Sequence, residues 1–270
     1  MSSPINQLYQ QVHENILKNK GAFSWLNLGC WKNADNVAKA CQDLVNLVAS
    51  FGELADNQKI LDAGFGYGIQ DIFLAKKIQN IKITGINLVE KQVEVANYLV
   101  SKEGLTSQIN FKVGDATQLS FPEHSFDRII CIEAAFHFNT REKFFDKAYK
   151  ALKNNGVICL AEGLPNEAYI NDEMFIQRSK FLGIPIENQY GIEKYREKLE
   201  QIGFTSIEFL DISEAVIPFS AVAVKHQSGW RTEEKIELPK DKATLNDLIA
   251  SFKKSTTIDK YYIIKARKAS

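Results

Sequence analysis

A doubly wound α/β fold is predicted by three features of the 270-residue sequence. Residues 59–163 alternate short apolar runs with amphipathic segments, the pattern of β-α-β units in which helices cover a parallel sheet. Ile60-Leu61-Asp62-Ala63-Gly64-Phe65-Gly66-Tyr67-Gly68 reads as a strand that ends in an acid and enters a helix through alternating glycines. Hydrophobic residues make up 45% of the chain, enough for one large core.

Candidate strands lie at 59–63, 82–86, 109–113, 126–132 and 156–160, each β-branched or aromatic and ending near small or polar residues. Between them, 69–78, 91–102 and 142–152 carry apolar residues at helical spacing, as in Ile72, Leu74, Ala75 and Ile78. Right-handed crossovers put these helices on the two sheet faces and the strands' carboxyl ends along one crevice. Upstream, residues 1–58 form a shoulder or lid, with an aromatic segment at 23–31 and a helix at 38–51. Downstream, 164–191 lacks sheet periodicity; a helix at 192–202 and a strand at 207–210 follow. Residues 213–259 read as an insertion holding a helix at 245–252, before a last strand at 261–266. The segments 164–191 and 213–259 are expected to cap a substrate, while 192–212 and 260–270 complete the core sheet of a single domain.

Lys plus Arg and Asp plus Glu each number 33, so no excess positive field favours a nucleic-acid partner. Cys30, Cys41, Cys131 and Cys159 form no C-x-x-C pair and read as buried thiols of a reducing, cytoplasmic protein, with no metal site expected. No apolar run approaches the roughly 18 residues needed to span a bilayer, and no stable membrane association is expected.

Gly64, Gly66 and Gly68 allow positive-φ turns and close approach of a ligand to the backbone, and the helix start offers unpaired N–H groups. The spacing differs from the G-x-G-x-x-G that seats a pyrophosphate, and Asp62 would repel one, so a nicotinamide oxidoreductase is disfavoured. An acid there suits an ammonium group.

These residues resemble the first motif, D-x-G-x-G-x-G, of the class I S-adenosylmethionine-dependent methyltransferases. The segment from Ile83 to Gln92 looks like the second strand and its turn, where relatives present an acid to the ribose hydroxyls; here Asn87 stands at that position. An uncharged residue followed five places later by Gln92 resembles the branch holding cyclopropane fatty acid synthases and natural-product methyltransferases. Val113-Gly114-Asp115-Ala116 resembles the adenine-binding third-strand motif, although an Asp after a strand also serves as a turn or capping residue. The segment from Phe126 to Ala134 resembles the fourth strand, and Glu133 would contact the cofactor's amino group or pair with a neighbouring base. Asn27-Leu28-Gly29-Cys30-Trp31 is similar to the N-x-G-Y-W element of small-molecule members, with Cys30 replacing Tyr; Asn27, Gly29 and Trp31 are accordingly substrate or lid candidates. The resemblance implies a Rossmann-like seven-stranded sheet of order 3-2-1-4-5-7-6 with the last strand antiparallel. It also implies S-adenosyl-L-methionine as cofactor, S-adenosyl-L-homocysteine as product and a small-molecule acceptor.

For chemistry, His137 just beyond the fourth strand is the candidate general base toward an acceptor hydroxyl, a histidine packed beneath a loop being the other reading. Glu162 at the end of the fifth strand would orient His137 or bind substrate, or is an exposed strand-end acid. Oxygen methylation is favoured, with carbon or nitrogen methylation of a small molecule or lipid next and a non-catalytic cofactor-binding protein as the alternative of another class. Glu133-Ala134-Ala135-Phe136 stands where enzymes that methylate nucleic-acid amino groups carry N/D-P-P-Y/F.

Overall fold

The computed structural model describes residues 25–118, 120–225 and 236–270. The first two residues of the expected aromatic segment at 23–31 and residues 226–235 of the expected insertion lie outside the described residues. The strands are β1 (Lys59–Ala63), β2 (Lys82–Asn87), β3 (Ile109–Val113), β4 (Phe126–Ile132), β5 (Leu152–Leu164), β6 (Phe204–Asp211) and β7 (Lys260–Lys268). They form one seven-stranded sheet of order β3-β2-β1-β4-β5-β7-β6. The pairs β1–β2, β1–β4, β2–β3 and β4–β5 are parallel, and β7 runs antiparallel to both β5 and β6.

Because successive strand residues face opposite sides, each central strand feeds two cores. Ile60, Ile130 and Ile263 pack on one face with helices α1 (Val37–Phe51), α2 (Ile69–Lys77) and α3 (Glu90–Lys102). Their neighbours Leu61, Ile129 and Ile264 pack on the other with α4 (Arg141–Ala151) and, farther along the chain, α6 (Ile192–Ile202). Three further helices, α5 (Glu173–Phe181), α7 (Ser213–Lys225) and α8 (Lys242–Thr256), lie in the segments expected to be insertions. Ile217 and Ala221 of α7 meet Phe252 of α8 in a small core of their own. Cys30, Cys41, Cys131 and Cys159 are buried and free. Among the described residues no helix is long and apolar enough to cross a membrane.

Several boundaries differ from the pattern-based expectation. β5 begins at Leu152 and not 156, since Phe126 pairs with Leu152 and Arg128 with Val157, so the turn-like residues between them are absorbed as an irregularity. β5 also runs on to Leu164, since its antiparallel ladder with β7 continues to Lys260. The sequence pattern places no particular helix at α5 or α7, both of which fall in the segments expected to cap the core. In α7, Pro218 sits inside the helix, and the hydroxyl of Ser220 donates to the Val216 carbonyl at 2.8 Å.

One buried ion pair fastens α4 to the sheet. Arg141 Nε lies 2.9 Å from Glu162 Oε2, both side chains almost wholly shielded from solvent. The guanidinium stands 4.9 Å from the Tyr190 ring centre and 5.2 Å from that of Tyr195, and its NH1 donates to the Asn188 carbonyl. Asn188 also accepts from the Arg141 N–H at 3.0 Å. Removing one member strands a buried charge, whereas replacing both with apolar residues does not. Glu162→Leu is therefore expected to lower unfolding stability by about 3–5 kcal/mol. The double variant Glu162→Leu with Arg141→Met should recover part of that loss in denaturant melts; equal or greater destabilisation of the double variant contradicts the pairing account.

Candidate functional site

The carboxyl ends of β1, β2, β3 and β4 open on a cavity of about 260 Å³, walled by the turn after β1, by residues 86–89 at the end of β2, by Gly114, Asp115 and Ala116 after β3, and by Ala134, His137 and Phe138 after β4. Trp25 and Leu26 close it from the amino-terminal side. The turn residues Gly64, Gly66 and Gly68 have φ of 89°, 59° and 70°, left-handed values that strain any residue with a Cβ. They are not equivalent. A Cβ on Gly64 would lie 2.3 Å from Ala134 Cβ and one on Gly66 3.0 Å from Leu26, so these two let the turn sit against the walls of the cavity. A Cβ on Gly68 would strike the Phe111 ring at 2.4 Å, and one on Gly85 would strike Phe111 and Phe65. These latter glycines make room for the Phe65–Phe111 stack, whose ring centres are 4.0 Å apart beneath the turn.

Behind the turn lies a group of buried acids. Asp62 is wholly buried and does not line the cavity; Gln70 does, and its Nε2 donates to Asp62 Oδ2 at 2.5 Å. Asp71, also fully buried, faces the same carboxylate. Burial raises the Asp62 carboxyl to about 6, opposed by its hydrogen bonds, and holds Asp71 well above the usual range, where the Asp62 charge adds to the effect. Gln70 and Asp71 were absent from the sequence-derived candidates. The signal for them was their place in the first turn of the helix after the glycines, which directs side chains back toward the strand ends.

Asn87 and Gln92 stand together on the cavity wall. Asn87 Nδ2 donates to Gln92 Oε1 at 2.7 Å and to the Gly66 carbonyl at 3.2 Å, so its amide donors are spent within the protein and Oδ1 is its acceptor. Asp115 lines the cavity, and its carboxylate also organises the turn after β3, accepting from the N–H and the hydroxyl of Thr117 and from Gln118. The turn-forming reading of Asp115 is thus a real part of its job.

Other candidates fall elsewhere. Glu133 does not reach the cavity: its Oε1 accepts from the Leu28 N–H at 2.8 Å and from the Tyr261 hydroxyl at 2.5 Å. Burial lifts its carboxyl to about 7 against the pull of those two donors. Asn27, Gly29 and Trp31 belong to the packing of α1 and α7. Asn27 accepts from the Gly29 N–H, a Cβ on Gly29 would lie 2.7 Å from Ala40 Cβ, and Trp31 stacks on Phe219 with ring centres 5.3 Å apart. Glu162 is not an exposed strand-end acid but the buried partner of Arg141.

His137 does reach the cavity, and it also lines a second chamber of about 180 Å³ together with Phe136, Leu182, Ile184 and Ile258. Its Nδ1–H donates to the Gly183 carbonyl at 3.2 Å, which makes Nε2 the basic nitrogen. The ring is half-buried and borders both hollows. Burial lowers its imidazole from 6.5 to about 4, opposed by the Gly183 bond and reinforced by Arg141.

Known proteins share this arrangement. Residues 61–160 match the family model described as "Methyltransferase domain". The chain is 31% identical over 219 residues to the erythromycin 3''-O-methyltransferase of Saccharopolyspora erythraea, covering 78% of this chain and 70% of that enzyme. It is 26% identical over 246 residues to the 27-O-demethylrifamycin SV methyltransferase of Amycolatopsis mediterranei, covering 90% of this chain and 89% of the relative. To a sterol 24-C-methyltransferase of Gibberella zeae it is 33% identical over 167 residues, 60% of this chain, and spans 43% of that enzyme. Among solved structures, the [4+2]-cyclase SpnF superposes with a TM-score of 0.75 at 22% identity, over 99% of this chain and 97% of that one. The geranyl diphosphate C-methyltransferase of Streptomyces coelicolor, solved with S-adenosyl-L-homocysteine bound, gives 0.68 at 13% identity over 86% and 80%. With its glycine turn, sheet order and sequence relatives taken together, the chain belongs to the class I S-adenosylmethionine-dependent methyltransferases.

Proposed function

We propose that this protein methylates a hydroxyl oxygen of a small organic acceptor and that His137 receives the proton released there. The observation that carries this reading is the double position of His137, one ring bordering both the cavity at the glycine turn and the adjoining chamber walled by Phe136, Leu182, Ile184 and Ile258. Oxygen is preferred over carbon because two relatives that share most of this chain carry an oxygen position in their names, whereas the sterol enzyme is matched over less than half its length.

The polar groups on the cavity wall fit the cofactor. Asn87, neutral and with its donors already used, offers Oδ1 to the ribose hydroxyls, while Asp115 and the backbone at Ala116 serve the adenine. Gln70 meets the methionine arm in place of Asp62: Nε2 is committed to Asp62, which leaves Oε1 to accept from the ammonium, and the charge shared by Asp62 and Asp71 lies directly behind it. When bound, S-adenosylmethionine supplies a methyl carbon made electrophilic by positive sulfur. Glu133 and Glu162 brace the ends of β4 and β5 from the protein side.

His137 is neutral at ordinary pH, since burial holds its imidazole near 4. So weak a base would ionise a free alcohol poorly. It suffices if the proton leaves late, because an oxygen gaining a methyl group becomes strongly acidic as its bond to carbon forms. His137 Nε2 takes that proton, and the Nδ1–H bond to Gly183 keeps the ring in the required tautomer.

Two experiments test these assignments. In calorimetry, Gln70→Leu should weaken S-adenosylhomocysteine binding about 10- to 100-fold, the worth of a hydrogen bond to a charged group. Binding of 5'-methylthioadenosine, which lacks the aminoacyl arm, should stay within about twofold on the same reasoning. Because Asp62 gains its charge as pH rises through about 6, wild-type affinity for S-adenosylhomocysteine should increase from pH 5 to 7 while that for methylthioadenosine does not. Equal losses for both ligands rule out the role given to Gln70. For the reaction, the protein is incubated with labelled cofactor and a panel of phenols, sugars, macrolides and amines, and the products are weighed by mass spectrometry. An O-methyl product is expected, and His137→Asn should cut turnover about 10²- to 10⁴-fold with homocysteine-form binding intact. At saturating cofactor, kcat should show no break near 6.5 and should fall only as pH approaches about 4, where the imidazole gains its proton. Near-normal turnover of a folded His137→Asn protein removes the histidine from the mechanism.

A further inference from the structure

The hollows of this molecule adjoin one another in series. His137 lines both the cavity at the glycine turn and the inner chamber, and Thr257 lines both that chamber and an outer groove of about 860 Å³. The outer groove runs between α5 and α8, with Tyr169, Met174 and Phe175 on one side and Ala250, Ser251 and Lys254 on the other. The polar residues around the shared Thr257 are hydrogen-bonded to one another. Gln189 Nε2 donates to Ser179 Oγ at 2.9 Å and to Thr257 Oγ1 at 3.4 Å. Thr257 itself terminates α8 with a left-handed φ of 65°.

The chemistry of the walls narrows what would lie there. The inner chamber presents Phe136, Leu182, Ile184 and Ile258 beside His137, and its one charged lining residue, Arg141, is already paired with Glu162. In the outer groove Met174 stays 60% exposed on an ordered helix, a large apolar surface that no described residue covers. Most charged groups around it are engaged within the protein, by an ion pair or by backbone. Lys253 pairs with Asp259 at 2.8 Å, Arg178 donates through Nε to the Ser255 carbonyl, and Asp172 caps α5 by accepting from the N–H groups of Met174 and Phe175. Arg178, bonded there to a neutral carbonyl, and Lys254 at the exposed rim are cations of this groove, and neither lines the inner chamber.

We infer that the acceptor is an elongated alcohol with an apolar body: its reactive end lies beside His137, and its body passes Gln189 and Thr257 into the groove between α5 and α8. This rests on the methyl-transfer reading above and adds the size and polarity of the acceptor. A simple phenol or a single sugar fills the chamber and leaves the groove unused. The groove then sets acceptor affinity without touching the reacting atoms.

The test uses protein saturated with S-adenosylhomocysteine, titrated by calorimetry with methyl, octyl and dodecyl β-D-glucoside below their micelle concentrations. Octyl and dodecyl glucoside should bind at least about tenfold more tightly than methyl glucoside, a gain that burial of two methylenes is enough to give. Ala250→Trp, which fills the groove from an exposed helix position, and Met174→Glu, which charges it, should each abolish that gain while S-adenosylhomocysteine affinity stays unchanged. Chain length without effect, or a chain-length gain that both variants retain, overturns the inference. Failure of S-adenosylhomocysteine itself to bind would instead refute the methyl-transfer reading, so the two outcomes remain separate.

Discussion

The close approach of the turn after β1 to the ends of the neighbouring strands is the constraint on which the rest of this site depends. Gly64 touches the chain beyond β4 through Ala134, and Gly68 with Gly85 admits the Phe65–Phe111 stack between β1, β2 and β3. Left-handed backbone at three alternate positions turns the chain from strand to helix within a few residues. The result is a cavity floored by backbone and not by side chains. Without that turn, Asn87, Asp115 and His137 would sit at the ends of separate strands with no common ligand.

The same geometry explains why the acids near the turn are buried in layers. A carboxylate on the floor of the cavity would face water in the empty protein and need no partner. Asp62 is instead enclosed with Asp71, and Gln70 is interposed toward the cavity. Two carboxyls in one buried pocket resist double ionisation, so together they hold less than their full charge. A neutral amide in front of such a pair offers an acceptor whose strength is tuned from behind. Glu133 follows a similar logic at β4, its burial offset by Leu28 and Tyr261, which ties the amino-terminal segment and β7 to the edge of the site.

The sheet was legible in the sequence because strand alternation and the glycine turn are local signals, and β1, β3 and β4 fall at the expected residues. What stayed hidden depends on contacts far apart in the chain. Asp62 carries the acid of the first motif, yet nothing local indicates that Gln70 stands between it and the cavity. Glu162 reads as a strand-end acid until α4 brings Arg141 to it, 21 residues apart in the numbering and 2.9 Å apart in space. Helix α7 contains Pro218, a local argument against a helix, and forms because Val216 and Ile217 are buried and Ser220 back-bonds to its own turn. The N-x-G-x-W element illustrates the converse. Its residues match a pattern associated with substrate, yet Gly29 and Trp31 are consumed by packing against Ala40 and Phe219, while Trp25 and Leu26 face the cavity.

Fold alone does not decide the chemistry, since a [4+2]-cyclase shares this architecture over nearly its whole length. A pericyclic reaction asks a protein to enclose and bend its substrate and requires no proton acceptor at a reacting oxygen. The proposed methylation of an alcohol does require one, and a neutral imidazole with an assigned tautomer borders both the cavity at the glycine turn and the mainly apolar chamber. The depth that makes His137 a weak base also keeps it unprotonated whenever the protein is folded at ordinary pH. A stronger, more exposed histidine would spend part of its time as imidazolium, repelling the positive sulfur that the neighbouring cavity accommodates. Weak basicity is thus consistent with a site that handles a cationic methyl donor, and proton transfer late in bond formation is the step order that reconciles the two.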